Sequence, residues 1–208
     1  MAEPLTNLSC AEFAAVLAAK QSVPGGGGAA ALVGALGAAL CSMVGIFTTG
    51  KKTYAAVEED VQRMLADAEA VRLRLIDLVA EDAAAFFPLS QAYAIPKEDP
   101  SRAETLEAAT KAACKAPYEM MVEISKSIEL LEEMGEKGSK LLVSDVGCGA
   151  LFARAALESA SMNVFVNTKT LKDRAWAEDL EGRCDALLSE YIPRAEACAQ
   201  SVMTRIRG

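Results

Sequence analysis

The chain has 208 residues, 52% of them hydrophobic but only 5% aromatic, and a formal net charge of -8. The acidic balance argues against a nucleic-acid partner, which needs clustered Lys and Arg to neutralise phosphates. The chain contains no histidine, so Ser-His-Asp and Cys-His mechanisms are excluded and the commonest transition-metal ligand is missing. Acid-base chemistry here must come from Asp, Glu, Lys, Tyr or Cys. Six cysteines lack C-x-x-C spacing, which reads as reduced thiols of a cytoplasmic protein and gives no zinc motif. The stretch Met1-Ala2-Glu3-Pro4 has neither the basic nor the apolar region of a signal peptide.

In chain order, residues 7 to 20 read as a first helix, with Ser9 as N-cap and Phe13, Val16 and Leu17 on one face. A glycine loop, Pro24-Gly25-Gly26-Gly27-Gly28, follows, and an alanine-rich helix is expected over residues 29 to 48. No charge occurs from Gln21 to Gly50, so a membrane span has to be weighed. Alanine and glycine dominate that run and no comparable second run exists, which favours a buried central helix and no membrane contact. A long period over residues 57 to 94 carries the apolar stripe Val57, Val61, Met64, Ala68, Val71, Leu75, Leu78, Val79, Phe86, Leu89 and Tyr93, with a kink expected at Pro88. Ser101 is a candidate N-cap for the next helix, and Pro117 opens another that runs to about Gly135. Residues 145 to 170 form a small-residue helix capped by Ser144 or Asp145. Arg174 to Arg205 is the last helix, weakened at Gly182 and Pro193. No β-alternation appears. The expected architecture is all-α: one domain over residues 1–208, a bundle of long helices.

Four features could carry chemistry. The stretch from Gly45 to Lys52 looks like a phosphate loop, but Lys52 stands where that motif needs Ser or Thr, and the glycines sit at a helix end. The stretch then reads as a glycine C-cap with lysines facing the helix dipole, or as lysines contacting an anionic ligand. The glycine loop precedes a helix N-terminus, whose free N–H groups suit an anion or a carbonyl-rich ring; a flexible turn is the alternative. Asp82 lies seven residues after Leu75, four after Leu78 and four before Phe86, inside the apolar stripe. A desolvated carboxylate there can act as acid or base near neutrality, unless a lysine pairs with it. Asn163 and Asn167 are four apart on a face with Ala153, Ala156 and Ala160, and could read a ligand's hydrogen-bonding edge or bond a neighbouring helix. Arg154 and Glu158 fit an i,i+4 ion pair.

The run from Pro24 to Ala31, continuing through Ser42-Met43-Val44 to Gly50-Lys51-Lys52 and Tyr54, resembles the formiminotransferase-cyclodeaminase family. So do Asp82-Ala83-Ala84-Ala85-Phe86, Ser144-Asp145-Val146-Gly147 and Asn163-Val164-Phe165-Val166-Asn167. Within that family the chain is most similar to stand-alone methenyltetrahydrofolate cyclohydrolases. The resemblance implies an all-α homodimer, a tetrahydrofolate substrate with no further cofactor and no metal, and a catalytic role for Asp82. Lys51 is expected to polarise the developing oxygen or steer Asp82. Gly25, Gly26, Gly27, Gly28, Tyr54, Asp145, Asn163 and Asn167 are expected to hold the substrate, with Lys52 or Lys169 at its glutamate tail. The reaction implied is hydrolysis of 5,10-methenyltetrahydrofolate to 10-formyltetrahydrofolate. The alternatives are formimidoyltetrahydrofolate cyclodeamination with release of ammonia, and a non-catalytic folate-binding protein.

Overall fold

The computed structural model describes residues 4–208 and, among them, contains helices and no strand. The helices are α1 (Cys10–Ala18), α2 (Gly26–Ile46), α3 (Glu58–Ala94), α4 (Arg102–Ala113), α5 (Lys115–Lys137), α6 (Val143–Thr168) and α7 (Arg174–Arg207). Ser9 caps α1 in a reciprocal box. Its side chain accepts from the Glu12 N–H at 3.2 Å, and its own N–H donates to the Glu12 carboxylate at 2.9 Å.

The boundaries differ from expectation in instructive places. α2 begins at Gly26, not at residue 29, so three of the four glycines are helical. Ser101 stands at the start of α4 but does not cap it; its hydroxyl and N–H both donate to the Asp99 carboxylate instead. Neither Ser144 nor Asp145 caps α6. The helix starts two residues earlier than expected, at Val143, which puts both in its first turn, where the Asp145 charge faces the positive end of the dipole. α3 runs on through Pro88, and α7 through Gly182 and Pro193.

α2 is the central strut, packed against α3, α5 and α6, and α6 in turn packs on α5 and α7. Its buried face is almost all Ala and Gly, so α2 supplies little side-chain volume of its own. The bulk comes from its neighbours: Leu75 and Leu78 of α3 and Met120, Met121, Ile124, Ile128 and Leu131 of α5 are fully buried. Missing side chains on α2 are filled by theirs. A Cβ at Gly34 would stand 2.9 Å from Ile124 and 3.3 Å from Leu75. α2 is long and apolar enough to cross a membrane, with a mean hydropathy of 2.1, but half of that window is buried inside the bundle.

α2 and α6 cross backbone to backbone. A Cβ at either Gly37 or Gly149 would lie 3.2 Å from the other residue's carbonyl oxygen. At Gly149 it would also stand 2.7 Å from Leu131 Cδ2. Gly149→Ala is therefore expected to destabilise the fold by about 1–3 kcal/mol, the usual range for overpacking, despite alanine's better helix propensity. Urea unfolding measures it; an unchanged midpoint would show that the two helices can separate freely.

Candidate active site

The N-terminus of α2 meets the middle of α3 and the C-terminal half of α6. Gly25, in extended conformation, precedes α2, and no side chain caps its first turn. The free N–H groups there face α3, where the buried Leu75, Leu78 and Val79 turn Asp82 inwards. The approach is close enough to require glycine. A Cβ at Gly27 would stand 2.6 Å from both Asp82 carboxylate oxygens, whereas one at Gly28 would stand 3.3 Å from Pro24 and make only ordinary contact with Val79 at 3.6 Å. Burial pushes the Asp82 pKa above the usual carboxylate value, and the Gly28 backbone N–H opposes that shift by favouring the ion.

α6 runs antiparallel to α2 and brings Asn163 beside Gly26, where a Cβ would lie 3.5 Å from both amide heteroatoms. Asn163 Nδ2 donates to the Ser159 carbonyl one turn back at 2.8 Å. Asn167 Nδ2 reaches the Ala113 carbonyl at the end of α4, at 3.5 Å. Each amide thus spends a donor on the protein, within one helix and between helices respectively. The oxygen of each is left for a ligand.

These groups line a pocket of about 180 Å³ formed by Gly25, Gly26, Gly27, Asp82, Asn163 and Asn167, together with Ser22, Val23, Phe86, Leu89, Ala113, Pro117 and Val166. Asp82 is the only charged side chain in that lining. A shallower apolar groove of about 530 Å³ continues from it between α2 and α6, sharing Gly26, Asn163 and Val166. A larger concavity, about 680 Å³, lies between α6 and α7. Its only charged side chains, Arg154 and Glu196, pair with each other at 2.8 Å, and the remaining titratable group in its lining is the Cys148 thiol.

Asp82, the glycines, Asn163 and Asn167 therefore converge as expected. Lys51, Lys52, Tyr54 and Asp145 do not join them within one chain. They lie past the far end of α2 and at the start of α6, a helix length of about 30 Å away. There the Tyr54 hydroxyl accepts the Lys140 N–H at 3.1 Å. Its pKa is held below the ordinary tyrosine value by that bond first, then by Ser139 and the charges of Lys51 and Lys140. Lys169 follows the last turn of α6, two residues beyond Asn167. Sequence reasoning left out Ala113 and Pro117, which enter through the α4–α5 junction. Phe86 was legible as the residue one turn after Asp82, but it was read as core, and it is 39% exposed at the pocket mouth.

A carboxylate of raised pKa at a glycine-built helix N-terminus, faced by two amides, defines a helical protein with a candidate acid–base site. A family model described as formiminotransferase-cyclodeaminase matches residues 9–186, and the chain belongs to that family. It is 40% identical to the methenyltetrahydrofolate cyclohydrolase of Methylorubrum extorquens, covering 91% of this chain and 93% of that one. It is 30% identical to the mouse formimidoyltransferase-cyclodeaminase over 98% of its own length, which is 38% of the mouse protein. The crystal structure of formiminotetrahydrofolate cyclodeaminase from Thermotoga maritima superposes with a TM-score of 0.82 at 32% identity, covering 97% of each chain.

Proposed function

We propose that the chain hydrolyses 5,10-methenyltetrahydrofolate to 10-formyltetrahydrofolate. The observation that carries this reading is the half-buried Asp82 carboxylate, held against Gly27 as the sole charge in its pocket. The substrate's bridging carbon lies in a cationic amidinium between N5 and N10, so it is electrophilic without a further cofactor. A lone carboxylate attracts that cation and can take a proton from water poised on the carbon. Water attacks, and Asp82 accepts one proton. The proton then passes to N5 as the carbon–N5 bond breaks, and the hydroxyl proton of the collapsing intermediate goes to solvent. The Asn163 and Asn167 amides hold the pterin edge. The test is the rate at which the methenyl chromophore disappears, compared with spontaneous hydrolysis in the same buffer. Acceleration is expected; the spontaneous rate alone would end the proposal.

The likeness to a cyclodeaminase along the whole chain favours one second reading. There N10 attacks the formimino carbon, and ammonia leaves with the proton that Asp82 supplies. Both reactions pass through a tetrahedral carbon between the same two nitrogens. Ammonia release from formiminotetrahydrofolate, at a rate above that of methenyl hydrolysis, selects it.

We further propose that the protein is a cytoplasmic homodimer. All six cysteines are free thiols, which suits a reducing compartment. The outward side of α2 is apolar like its buried side, with Leu36 49% and Ile46 64% exposed, and water is a poor neighbour for such a helix.

A further inference from the structure

The Asp82 pocket has no cation in its lining, although the proposed substrate ends in a carboxylate tail. Three lysines, Lys51, Lys52 and Lys140, gather instead at the opposite pole of α2, beyond its C-terminus. The two poles also differ in shape. At the Asp82 pole the joint face of α2 and α6 is hollow, an apolar groove lined by Ala29, Ala30, Val33, Ala156, Met162 and Val166. At the lysine pole the face ends in large exposed apolar side chains, Ile46 at 64%, Phe47 at 53% and Leu141 at 87%.

We propose that two copies pack with α2 antiparallel to α2, so that the partner subunit's Lys51 and Lys52 close the Asp82 pocket over the substrate. The proposal rests on the dimer and on the folate reading above. A two-fold axis perpendicular to α2 at Leu36, its midpoint, sets Gly26 opposite the partner's Ile46, because each lies about 15 Å from the axis. The same axis serves α6. That helix runs counter to α2, with Gly37 against Gly149 and Gly26 against Asn163, so its start falls over the partner's Asn163 end.

Three features choose this arrangement over a parallel one. The large apolar side chains at one pole of each copy meet the apolar groove of the other, whereas a parallel seam sets Phe47 against Phe47 and groove against groove. Lysines meet the pocket of Asp82, whereas a parallel seam gathers the lysines of both copies. The positive end of each α2 dipole lies beside the negative end of the other. The Lys51–Tyr54 motif then belongs to the site it failed to reach within one chain, with the partner's lysines placed for the carboxylate tail of the substrate.

Two measurements test this, the first without any activity. In the full chain carrying Cys10→Ser and Cys148→Ser, Ala29→Cys with Met43→Cys is treated with a short bismaleimide. A covalent dimer is expected from the double variant and from neither single one, since residues 29 and 43 lie equally far from Leu36. Linking by single variants indicates a parallel seam and overturns the proposal, as does failure to link. The second measurement refolds Asp82→Asn together with Lys51→Ala/Lys52→Ala. Each is expected to be slow alone, and the mixture to recover about a quarter of wild-type turnover, from the one intact site in each mixed dimer. No recovery, or a lysine variant as fast as wild type, overturns it. A wild-type protein that leaves methenyltetrahydrofolate untouched overturns the folate reading instead, and the cross-link still decides the geometry.

Discussion

Asp82→Asn is expected to lower methenyltetrahydrofolate turnover by about 10²–10⁴-fold, the usual contribution of a positioned acid-base group, while the protein stays folded. The amide keeps the shape of the carboxylate against Gly27 but cannot accept a proton from water. The loss should fall on kcat, since shape and apolar contacts to Phe86 and Val166 are retained. Stability should move the other way. The Asp82 pKa is raised in the fold by burial, with the Gly28 N–H only partly offsetting it. The folded state therefore holds this proton more tightly than the unfolded chain. Between the unfolded and folded pKa values, stability falls as pH rises, and above the folded pKa the ionised group is a net penalty. Asparagine removes that penalty, so the variant should be at least as stable as wild type at neutral pH, and its stability should be flatter across the acidic range. In the wild type, kcat/KM should fall as pH drops through the raised pKa, because the base becomes protonated. Chromophore loss at several pH values, paired with thermal unfolding, checks both signs. A folded Asp82→Asn protein with near-wild-type turnover would remove Asp82 from the mechanism.

Asp82 was legible in the sequence because helix periodicity is a strong signal over a helix as long as α3. A carboxylate one turn after Leu78 must point where Leu78 and Leu75 point, and both are fully buried. The glycine run was legible as a feature but not as a conformation. Glycine is a poor helix former, so local propensity reads a loop. Tertiary packing overrides it: α2 extends back through Gly28 and Gly27 to Gly26, and at Gly27 the Asp82 carboxylate of α3 approaches too closely for a side chain. Asn163 and Asn167 shared a face at i,i+4, and the antiparallel run of α6 against α2 carried that face to the pocket. The Lys51–Tyr54 motif shows the limit. Its residues follow α2 directly in sequence, yet a straight helix of 21 residues holds them a full bundle length from Asp82. Periodicity reports which way a residue faces and not what stands at the other end. Pro117 and Ala113 give no signal at all, since their place in the pocket depends on how α4 turns into α5.

Gly27→Ala should be the most informative of the glycine substitutions, because it separates the site from the fold. Its single methyl carbon would stand 2.6 Å from both Asp82 carboxylate oxygens, nearer than van der Waals contact permits. The nearest atoms belong to a side chain, so the carboxylate rotates away before the helices part. Alanine also favours the helical state by up to about 1 kcal/mol over glycine. Thermal stability is therefore expected to stay within about 1 kcal/mol of wild type, while kcat falls by about 10²-fold, the order of loss that a 1 Å misplacement causes. The neighbours supply the control. At Gly26 the added carbon makes only ordinary contact with Asn163 at 3.5 Å, and at Gly25 it meets nothing within 4 Å. Alanine at either position should leave most of the activity, so the three variants should rank with Gly27 far below the others. The activity that remains in Gly27→Ala should also have its acid limb shifted to lower pH. A carboxylate pushed out of its pocket regains water, and burial is the first cause of its raised pKa. Equal losses at Gly25, Gly26 and Gly27 would point to the loop's flexibility, rather than the contact between α2 and Asp82, as what the glycines provide.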